Sequence, residues 1–518
     1  MNKNRIFFYF LSFLEGAGVM SAELLGAKML APYFGTSLFV WSAVLAVTLG
    51  GLACGYFAGG YLSLKKNAER NLYIVLSCSA VFLILMPFFA RLVMVHSAHF
   101  DLLPAITLSS FIFLFPPVFF MGMVSPIIVR CITADVLNTG KEAGTVYAIS
   151  TVGGILSTFL LGFWLIPEFG LTRPAVFIGI GLGTIPCIKL IRMKFFLPAV
   201  FLPLIAGAAL FFLNSGSVAG AGAQMKIIYS AEGILGQLIV ADSPIYEDGK
   251  KTDGVERILL VNRSAQTIMT MRRGKREFFD YVSFMDSSVG SSPAERHALV
   301  LGLGGGSVAT LLAARNFRVD AVDLDSRMPG IAKKYFGMPG NVKVYIDDAR
   351  HFVRGLSPAG LSASGYDAIV LDVFVGEVNP HHLFTREFFS ELRPLLSEGG
   401  KIFVNGNGYW NGATGKGMRS VCKTLLHSGF DVDIAPTAFK EDFRTLVFTA
   451  TVISADREVG EVTSGQLSNL NLNDAEILTD ERPMLEKLNA SANERWRKAS
   501  IRYFLSNYYA KNDLLLFR

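Results

Sequence analysis

The sequence is short of charge for its length. Only 17% of its 518 residues are Asp, Glu, Lys or Arg, whereas 51% are hydrophobic, and the mean hydropathy is +0.42. Charged residues are sparse as far as Leu213 and frequent from Lys226 onward. This uneven distribution excludes an ordinary soluble protein. It indicates a membrane-embedded first part followed by a water-soluble part.

Cysteine is also scarce. The five cysteines form no CxxC motif and no Cys/His cluster, so neither a disulfide framework nor a metal site is predicted. The net charge of +6 requires no nucleic-acid partner, because basic residues gather in the cytoplasmic loops of membrane proteins. Lys3 and Arg5 precede an apolar run that lacks a small-residue cleavage site. We therefore interpret this run as a first membrane anchor.

Apolar runs of about 20 residues predict membrane-spanning helices. Seven candidates occur before residue 215, at 6–25, 38–62, 72–95, 104–132, 146–166, 175–190 and 195–213. Pro116 and Pro117 fall inside the fourth run and predict a kink, because proline removes a helical hydrogen bond. We expect residues 1–215 to form a multi-pass transmembrane domain of about seven helices in the cell (inner) membrane, with the lipid bilayer as partner.

Basic residues are unequally divided between the loops. If the N-terminus is cytoplasmic, its side of the membrane collects ten lysines and arginines and the other side three, as the positive-inside rule requires. Seven spans would then place the soluble half outside the cell. We favour a cytoplasmic soluble half, which requires one re-entrant or miscounted segment, and the other orientation stays open at this point.

Two acidic residues lie within the first apolar run. Glu15 is nine residues beyond Ile6, roughly 13 Å along a helix, and Glu23 follows two turns later. A carboxylate inside a membrane is costly and is commonly functional or paired. Glu23 and Lys28 also fit the far membrane interface, whereas Glu15 is harder to place there. These acids favour a transporter or membrane sensor as an alternative function.

From residue 225 to 271 the sequence changes to short alternating runs separated by turn residues. This pattern predicts a small antiparallel sheet. We place it in a β domain at 224–290 that ends in a helix. An α/β domain at 291–490 and a tail at 491–518 complete the chain. The tail is aromatic and basic, which suits either a membrane interface or packing against its own domain.

An apolar strand at 297–301 leads into a glycine-rich turn and then a helix. Gly302, Gly304, Gly305 and Gly306 let the backbone approach a ligand that a Cβ atom would block, and the N-terminus of the helix favours an anion. The succession of strand, glycine turn, helix and strand predicts a Rossmann-like α/β domain that binds a nucleotide cofactor.

Acidic residues follow the ends of three further predicted strands. Asp323 comes about 20 residues after the glycines, the spacing at which a ribose hydroxyl pair is bound. Asp348 and Asp372 follow the next two strands, and strand ends carry the ligand groups of open α/β sheets. A helix N-cap is the other explanation for such aspartates, and it suits Asp325 and Asp347 better than these three.

The order of these motifs resembles the spermidine synthase (polyamine aminopropyltransferase) family. The motifs are Gln266, Leu-Gly-Leu-Gly-Gly-Gly, Val-Asp-Leu-Asp, Asp-Asp-Ala-Arg and Tyr-Asp-Ala-Ile-Val-Leu-Asp, and the similarity covers 224–448 and continues at 479–486. The first half resembles the bacterial version of the family, in which a multi-span domain precedes the synthase, through the stretches 22–28, 35–42, 122–127 and 165–171. The resemblance implies a class I methyltransferase-like sheet with a small N-terminal β domain.

The resemblance also implies a transferase that moves an aminopropyl or related group to an amine or polyamine acceptor. Its co-substrate would be decarboxylated S-adenosylmethionine or S-adenosylmethionine, with the glycine loop around the methionine-derived part. Asp323 would bind the ribose, Asp348 the adenine amino group, and Gln266 the ligand from the β domain. Asp372 would be the catalytic base that accepts a proton from the attacking amine. A homodimer is compatible with these expectations.

The acceptor side departs from the family pattern. The run Arg272-Arg273-Gly-Lys-Arg276 replaces an acidic segment, and its charges would repel a polyamine unless the run is a solvated or lipid-facing surface. The family's second acid after Asp372 is absent, and Tyr281 and Glu377 are the candidates that would replace the lost groups. A methyltransferase and a non-catalytic adenosyl-binding sensor or transporter therefore stay as alternatives.

Overall fold

The computed structural model describes residues 3–35, 38–97, 100–133, 136–214, 226–233, 235–247, 250–262, 264–272, 275–278, 280–289, 294–356, 365–374, 379–437, 445–453, 457, 459–467 and 469–504. The chain divides into two compact units. The first, called the helical unit, is built mainly from the helices that precede residue 223. The second, called the α/β unit, is built from Gln224–Tyr229 and Ile239–Tyr503.

The helical unit contains α1 (Lys3–Phe34), α2 (Leu38–Ser63), α3 (Ala68–Ser97), α4 (Leu102–Phe113), α5 (Phe115–Gly122), α6 (Val124–Ile132), α7 (Thr139–Leu160), α8 (Ile166–Phe169), α9 (Thr172–Arg192) and α10 (Leu197–Asn214). Large apolar side chains lie on its surface, and Phe57 and Phe163 are 85% and 72% exposed. Soluble proteins rarely expose continuous apolar surface of this kind. The surface of the helical unit is therefore suited to lipid.

Six helices among the described residues are long and apolar enough to cross a membrane: Arg5–Phe34, Phe39–Ser63, Ala68–Met94, Phe115–Ile132, Thr139–Phe169 and Thr172–Arg192. The expected count was about seven. The fourth predicted run, 104–132, is interrupted at Leu114, just before Pro116 and Pro117, so that α4 is a separate shorter helix. The last predicted run corresponds to α10, whose described apolar part, Val200–Phe211, is also short.

The α/β unit begins with a five-stranded sheet in the order β1-β2-β3-β4-β5. Its strands are β1 (Lys226–Ala231), β2 (Leu238–Glu247), β3 (Lys250–Val261), β4 (Ser264–Arg272) and β5 (Lys275–Phe278), and α11 (Asp280–Val289) follows. β4 pairs antiparallel with both β3 and β5. Thr267 and Met269 of β4 are buried and the residues between and beside them are half-buried, so the alternating pattern in the sequence does correspond to a two-faced antiparallel strand.

An eight-stranded sheet follows, with the order β13-β11-β12-β10-β9-β6-β7-β8. Its strands are β6 (Arg296–Leu301), β7 (Phe317–Asp323), β8 (Lys343–Ile346), β9 (Tyr366–Leu371), β10 (Leu396–Asn407), β11 (Phe430–Pro436), β12 (Thr445–Val452) and β13 (Val462–Thr463). The strands from β10 to β8 run parallel, whereas β12 is antiparallel to both of its neighbours. The order of the parallel strands reverses between β6 and β9.

Six helices of the described residues accompany this sheet: α12 (Ser307–Ala314), α13 (Met328–Ile331), α14 (Ala349–Gly355), α15 (Arg386–Leu392), α16 (Lys416–Leu426) and α17 (Leu485–Phe504). The last four residues of the central strands β6 and β9 are apolar and buried, as expected of parallel strands covered on both faces. The C-terminal segment is held to the sheet by Arg350, whose guanidinium lies 2.7 Å from carboxylate oxygens of both Glu391 and Asp480. This clamp fixes the start of α14, where Asp348 stands.

Candidate active site

Two of the residues predicted to form the site, Gly302 and Asp372, meet where the strand order reverses. β6 lies between β7 and β9, and a crevice opens outside the carboxyl ends of the strands at such a point of an open α/β sheet. Leu301 of β6 pairs with Leu371 of β9, so the next residues, Gly302 and Asp372, lie side by side at the crevice. The backbone N–H of Asp372 donates to Leu301 O at 2.8 Å.

The glycine loop is shaped for close approach of backbone atoms. Gly302, Gly304 and Gly306 have φ values of +94°, +51° and +75°, in the left-handed region that glycine adopts without strain. A Cβ atom at Gly302 would overlap the carbonyl oxygen of Asp372. Both the positive φ and the close approach therefore require glycine at residue 302.

Five successive N–H groups of the loop donate to other protein atoms. Those of residues 302 and 306 bind the carbonyl oxygens of Val322 and Leu303 at 2.8 Å. Those of 303 and 304 bind the Asp323 carboxylate, and that of 305 binds Thr267 Oγ1 at 2.9 Å. A phosphate-binding loop directs such groups at its ligand. The expected anion cradle is therefore not formed by these five N–H groups, and the loop instead provides a rigid surface without side chains.

Asp323 joins the loop to the end of β7. One carboxylate oxygen accepts the Leu303 N–H at 2.9 Å, and the other accepts the Asp325 N–H at 2.8 Å. Burial raises the pKa of Asp323, and the backbone hydrogen bonds from Asp325, Leu303 and Gly304 act in the opposite direction. The oxygen that accepts from Leu303, Oδ2, also accepts the Gly304 N–H at 3.4 Å. Oδ1 accepts from Asp325 and can accept a second hydrogen bond, so Asp323 keeps acceptor capacity for a ligand at Oδ1.

Asp372 is the acid at the centre of the crevice. Tyr281, which is buried in α11, donates its hydroxyl to Asp372 Oδ2 at 2.8 Å, and Asn405 Nδ2 donates to Oδ1 at 2.8 Å. Burial raises the pKa of Asp372, and the hydrogen bonds from Asn405 and Tyr281 lower it in part. Burial and the neighbouring carboxylate raise the pKa of Tyr281 well above its usual value, so the phenol stays a donor. A carboxylate held by two neutral donors is oriented and retains basicity.

Asp348 is the N-cap of α14. Its Oδ1 accepts the N–H groups of Arg350 and His351 at 2.9 and 3.0 Å, and His382 Nε2 lies 3.2 Å from its Oδ2. Burial raises the pKa of Asp348, but these hydrogen bonds outweigh it and lower the pKa overall. Asp348 therefore does cap a helix, and its role in the site stays a prediction. Asp325 and Asp347 make local contacts with Arg327 and His351.

The small sheet contributes to the same site through β4. Gln266 is half-buried in β4, and its neighbour Thr267 accepts the Gly305 N–H. Arg276 of β5, part of the basic run, is directed at the carbonyl oxygens of Phe336 and Gly337, 3.5 Å from its Nη1. This arginine therefore connects β5 of the small sheet to the segment between β7 and β8 of the larger one.

Three site contacts were not foreseen from the sequence: Thr267 on the glycine loop, Asn405 on Asp372, and His382 on Asp348. Asn405 follows the apolar run of β10, and its place at a strand end next to Asp372 was the signal that could have identified it. Glu377 lies outside the described residues. Glu15 and Glu23 belong to the helical unit, where Glu15 is buried and Glu23 half-buried.

Comparisons with known proteins bear on the α/β unit. Residues 279–460 match the Spermine/spermidine synthase domain. The chain is 38% identical to the polyamine aminopropyltransferase of Vibrio vulnificus over 135 residues, which is 25% of this chain and 44% of that protein. It is 39% identical to the N-terminal histidine N-methyltransferase of Emericella nidulans over 112 residues, which is 22% of this chain and 20% of that protein. The chain thus spans less than half the length of these curated relatives.

Solved structures similar to the chain include a probable spermidine synthase from Corynebacterium glutamicum. The TM-score is 0.34 at 19% identity, with 52% of this chain and 93% of that chain covered. For the spermidine synthase from Thermotoga maritima the TM-score is 0.33 at 15% identity, with 51% and 88% covered.

The strand order, with one antiparallel strand inserted next to the last parallel one, defines a Rossmann-like α/β domain of the methyltransferase-like class. Within this domain, the family match covers residues 279–460, which is less than half of the chain. The C-terminal part of the chain carries a Spermine/spermidine synthase domain, which confirms both the fold and the family expected from the sequence.

Proposed function

We propose that the chain is a membrane-bound transferase that uses an adenosyl sulfonium, decarboxylated S-adenosylmethionine or S-adenosylmethionine, and transfers an aminopropyl or related group to an amine. The observation that carries this proposal is the oriented carboxylate of Asp372, held by Tyr281 and Asn405 at the end of β9. It stands next to a loop that presents bare backbone to the crevice.

The loop fits a ligand without phosphate. Five hydrogen bonds engage the N–H groups of residues 302 to 306 within the protein, whereas glycines without side chains can lie against a flat or positively charged group. Asp323 would accept the ribose hydroxyls and Asp348 the adenine amino group, with Gln266 approaching from β4. Each of these three assignments is part of the proposal.

The chemistry needs little beyond alignment and one base. The amine nitrogen attacks the carbon next to the sulfonium, the carbon–sulfur bond breaks, and its electron pair leaves on sulfur as a neutral thioether. The proton released from the amine passes to Asp372. Because burial raises the pKa of Asp372, its carboxylate is a stronger base than an exposed one. Positioning the two reactants supplies most of the remaining acceleration.

Membrane attachment is the second part of the proposal. Six spans, an even number, would leave the α/β unit on the same side as the N-terminus, and the excess of basic residues on that side would make it the cytoplasmic side by the positive-inside rule. This topology removes the conflict that seven spans create. A reporter fused at Arg518 tests it: activity of a cytoplasm-specific reporter is expected, and activity of a periplasm-specific one would contradict it.

The transferase proposal is tested on the purified full chain. Calorimetry measures binding of S-adenosylmethionine, its decarboxylated form and methylthioadenosine. Chromatography then follows the release of methylthioadenosine or S-adenosylhomocysteine with a panel of cationic, neutral and anionic amines. The proposal expects methylthioadenosine, and turnover lost in Asp372→Asn but kept in Asp320→Asn, which alters the aspartate in the middle of β7 that accepts a hydrogen bond from Tyr366.

Two results would contradict it. Absence of binding of all three compounds would remove the adenosyl site. Release of S-adenosylhomocysteine instead of methylthioadenosine would show methyl transfer, the activity named for the relative from Emericella nidulans.

A further inference from the structure

Glu15 is a buried carboxylate in the middle of the helical unit. It is 2% exposed and lies on α1 about 18 Å along the helix from Lys3 and about 28 Å from Phe34. It is therefore far from both ends of the segment. A carboxylate that is ionised and uncompensated at such a depth is energetically costly.

The partners of Glu15 are neutral. Ser150 of α7 donates its hydroxyl to Glu15 Oε2 at 2.9 Å, and Ser125 of α6 approaches the same oxygen at 3.5 Å. Tyr56 of α2 and Tyr147 of α7 pair edge to face at 6.0 Å between ring centroids. No lysine, arginine or histidine among the described residues forms an ion pair with Glu15.

Glu142 of α7 provides an internal comparison. It is 6% exposed and also belongs to the helical unit. Its carboxylate lies 3.0 Å from Arg5 Nη1, and the Tyr9 hydroxyl donates to it at 2.7 Å. Glu142 thus has a positively charged partner within the chain, whereas the described partners of Glu15 are hydroxyl groups.

The backbone around Glu15 is shaped for this arrangement. A Cβ atom at Gly16 would overlap the carbonyl oxygen of Ser150, so glycine permits the approach of α7 that brings the Ser150 hydroxyl to Glu15. Ser125 stands in the first turn of α6, directly after the interruption at Met123 that separates α5 from α6.

We propose that Glu15, with the hydroxyls of Ser125 and Ser150, forms a site for one exchangeable monovalent cation inside the helical unit. The positive charge that the chain itself does not supply comes from a proton, an alkali ion or a protonated amine. All three satisfy the same carboxylate, and the hydroxyl oxygens can accept from or coordinate the last two. The site is independent of transferase activity and rests only on the helical unit.

The test compares the thermal unfolding of the full chain in detergent with that of Glu15→Gln, which keeps the shape of the side chain and removes its charge. Glu142→Gln is the matched control. Three series vary one cation each: pH at constant ionic strength, sodium chloride against choline chloride, and putrescine against an equal ionic strength of choline chloride. Ligand binding to the native state raises the unfolding temperature, here by roughly 2–4 °C.

The proposal expects the unfolding temperature of the wild type to respond in at least one series, and this response to be absent in Glu15→Gln and present in Glu142→Gln. The series that responds identifies the cation. Identical responses of wild type and Glu15→Gln in all three series, including no response at all, would overturn the proposal. A putrescine response that persists in Glu15→Gln belongs to the α/β unit, so failure of this site is distinguishable from failure of the transferase proposal.

Discussion

Replacing Tyr281 with phenylalanine removes one of the two hydrogen bonds that hold the Asp372 carboxylate, and it keeps the buried ring in place. The lost contact is the one from the hydroxyl to Oδ2 at 2.8 Å. A hydrogen bond to a charged group contributes about 1.5–3 kcal/mol. Because this one favours the ionised form, its loss weakens ionisation of Asp372 by a factor of about 10 to 100.

The sign of the expected effect follows from the role of Asp372 as a base. Only its ionised form accepts the proton, so activity is lost as pH falls through its pKa. Tyr281 and Asn405 both lower that pKa against the effect of burial, and removing either donor therefore raises it. The acid limb of kcat/KM against pH moves to higher pH in Tyr281→Phe and in Asn405→Ala, and further in the double variant.

The assay is release of methylthioadenosine over a pH series, and Tyr366→Phe is the control. Tyr366 donates to Asp320 at 3.2 Å, from the first residue of β9, so this variant loses a similar tyrosine–aspartate contact at the opposite end of the strand that leads to Asp372. Its acid limb is expected to coincide with that of the wild type. An unmoved acid limb in both Tyr281→Phe and Asn405→Ala would refute the assignment of Asp372 as the titrating base.

Three further changes probe the frame of the site. Gly302→Ala is expected to abolish methylthioadenosine binding by calorimetry and to lower stability by about 1–3 kcal/mol, whereas Gly330→Ala, where a Cβ meets open space, should do neither. Arg350→Met leaves the carboxylates of Glu391 and Asp480 without their shared partner. The free energy of unfolding should fall by on the order of 3 kcal/mol, measured by thermal unfolding. Full recovery of stability in Arg350→Lys would contradict the need for a guanidinium with several donors. Asp323→Asn should weaken methylthioadenosine binding at least tenfold, and unchanged affinity would exclude its ribose role.

The main sheet was predictable because its signals are local. An apolar run followed by glycines and a strand ending in an acid each report one element, and short loops place consecutive parallel elements next to each other. The family and the fold expected on this basis are confirmed. The roles of Gln266, Asp323, Asp348 and Asp372 stay predictions, although all four residues belong to the α/β unit.

Contacts across sequence distance were not predictable in the same way. Thr267 meets Gly305 over a separation of 38 residues, and Asn405 meets Asp372 over 33. Neither pair has a fixed spacing that a motif could encode. The hydrogen bonds of the glycine loop could not be predicted for a related reason: the sequence shows that N–H groups are present, but only the packing of β4 and Asp323 shows that those of residues 302 to 306 already donate within the protein.

The bond between Thr267 and Gly305, together with that between Tyr281 and Asp372, has a consequence for how the protein can be divided. A fragment that starts at residue 291 would keep the larger sheet and its loop but would lose partners of both the loop and the acid. The smallest portable form of the site therefore begins with β1. If the larger sheet is transferred from one relative to another, the site should be preserved only when β4 and α11 are transferred with it.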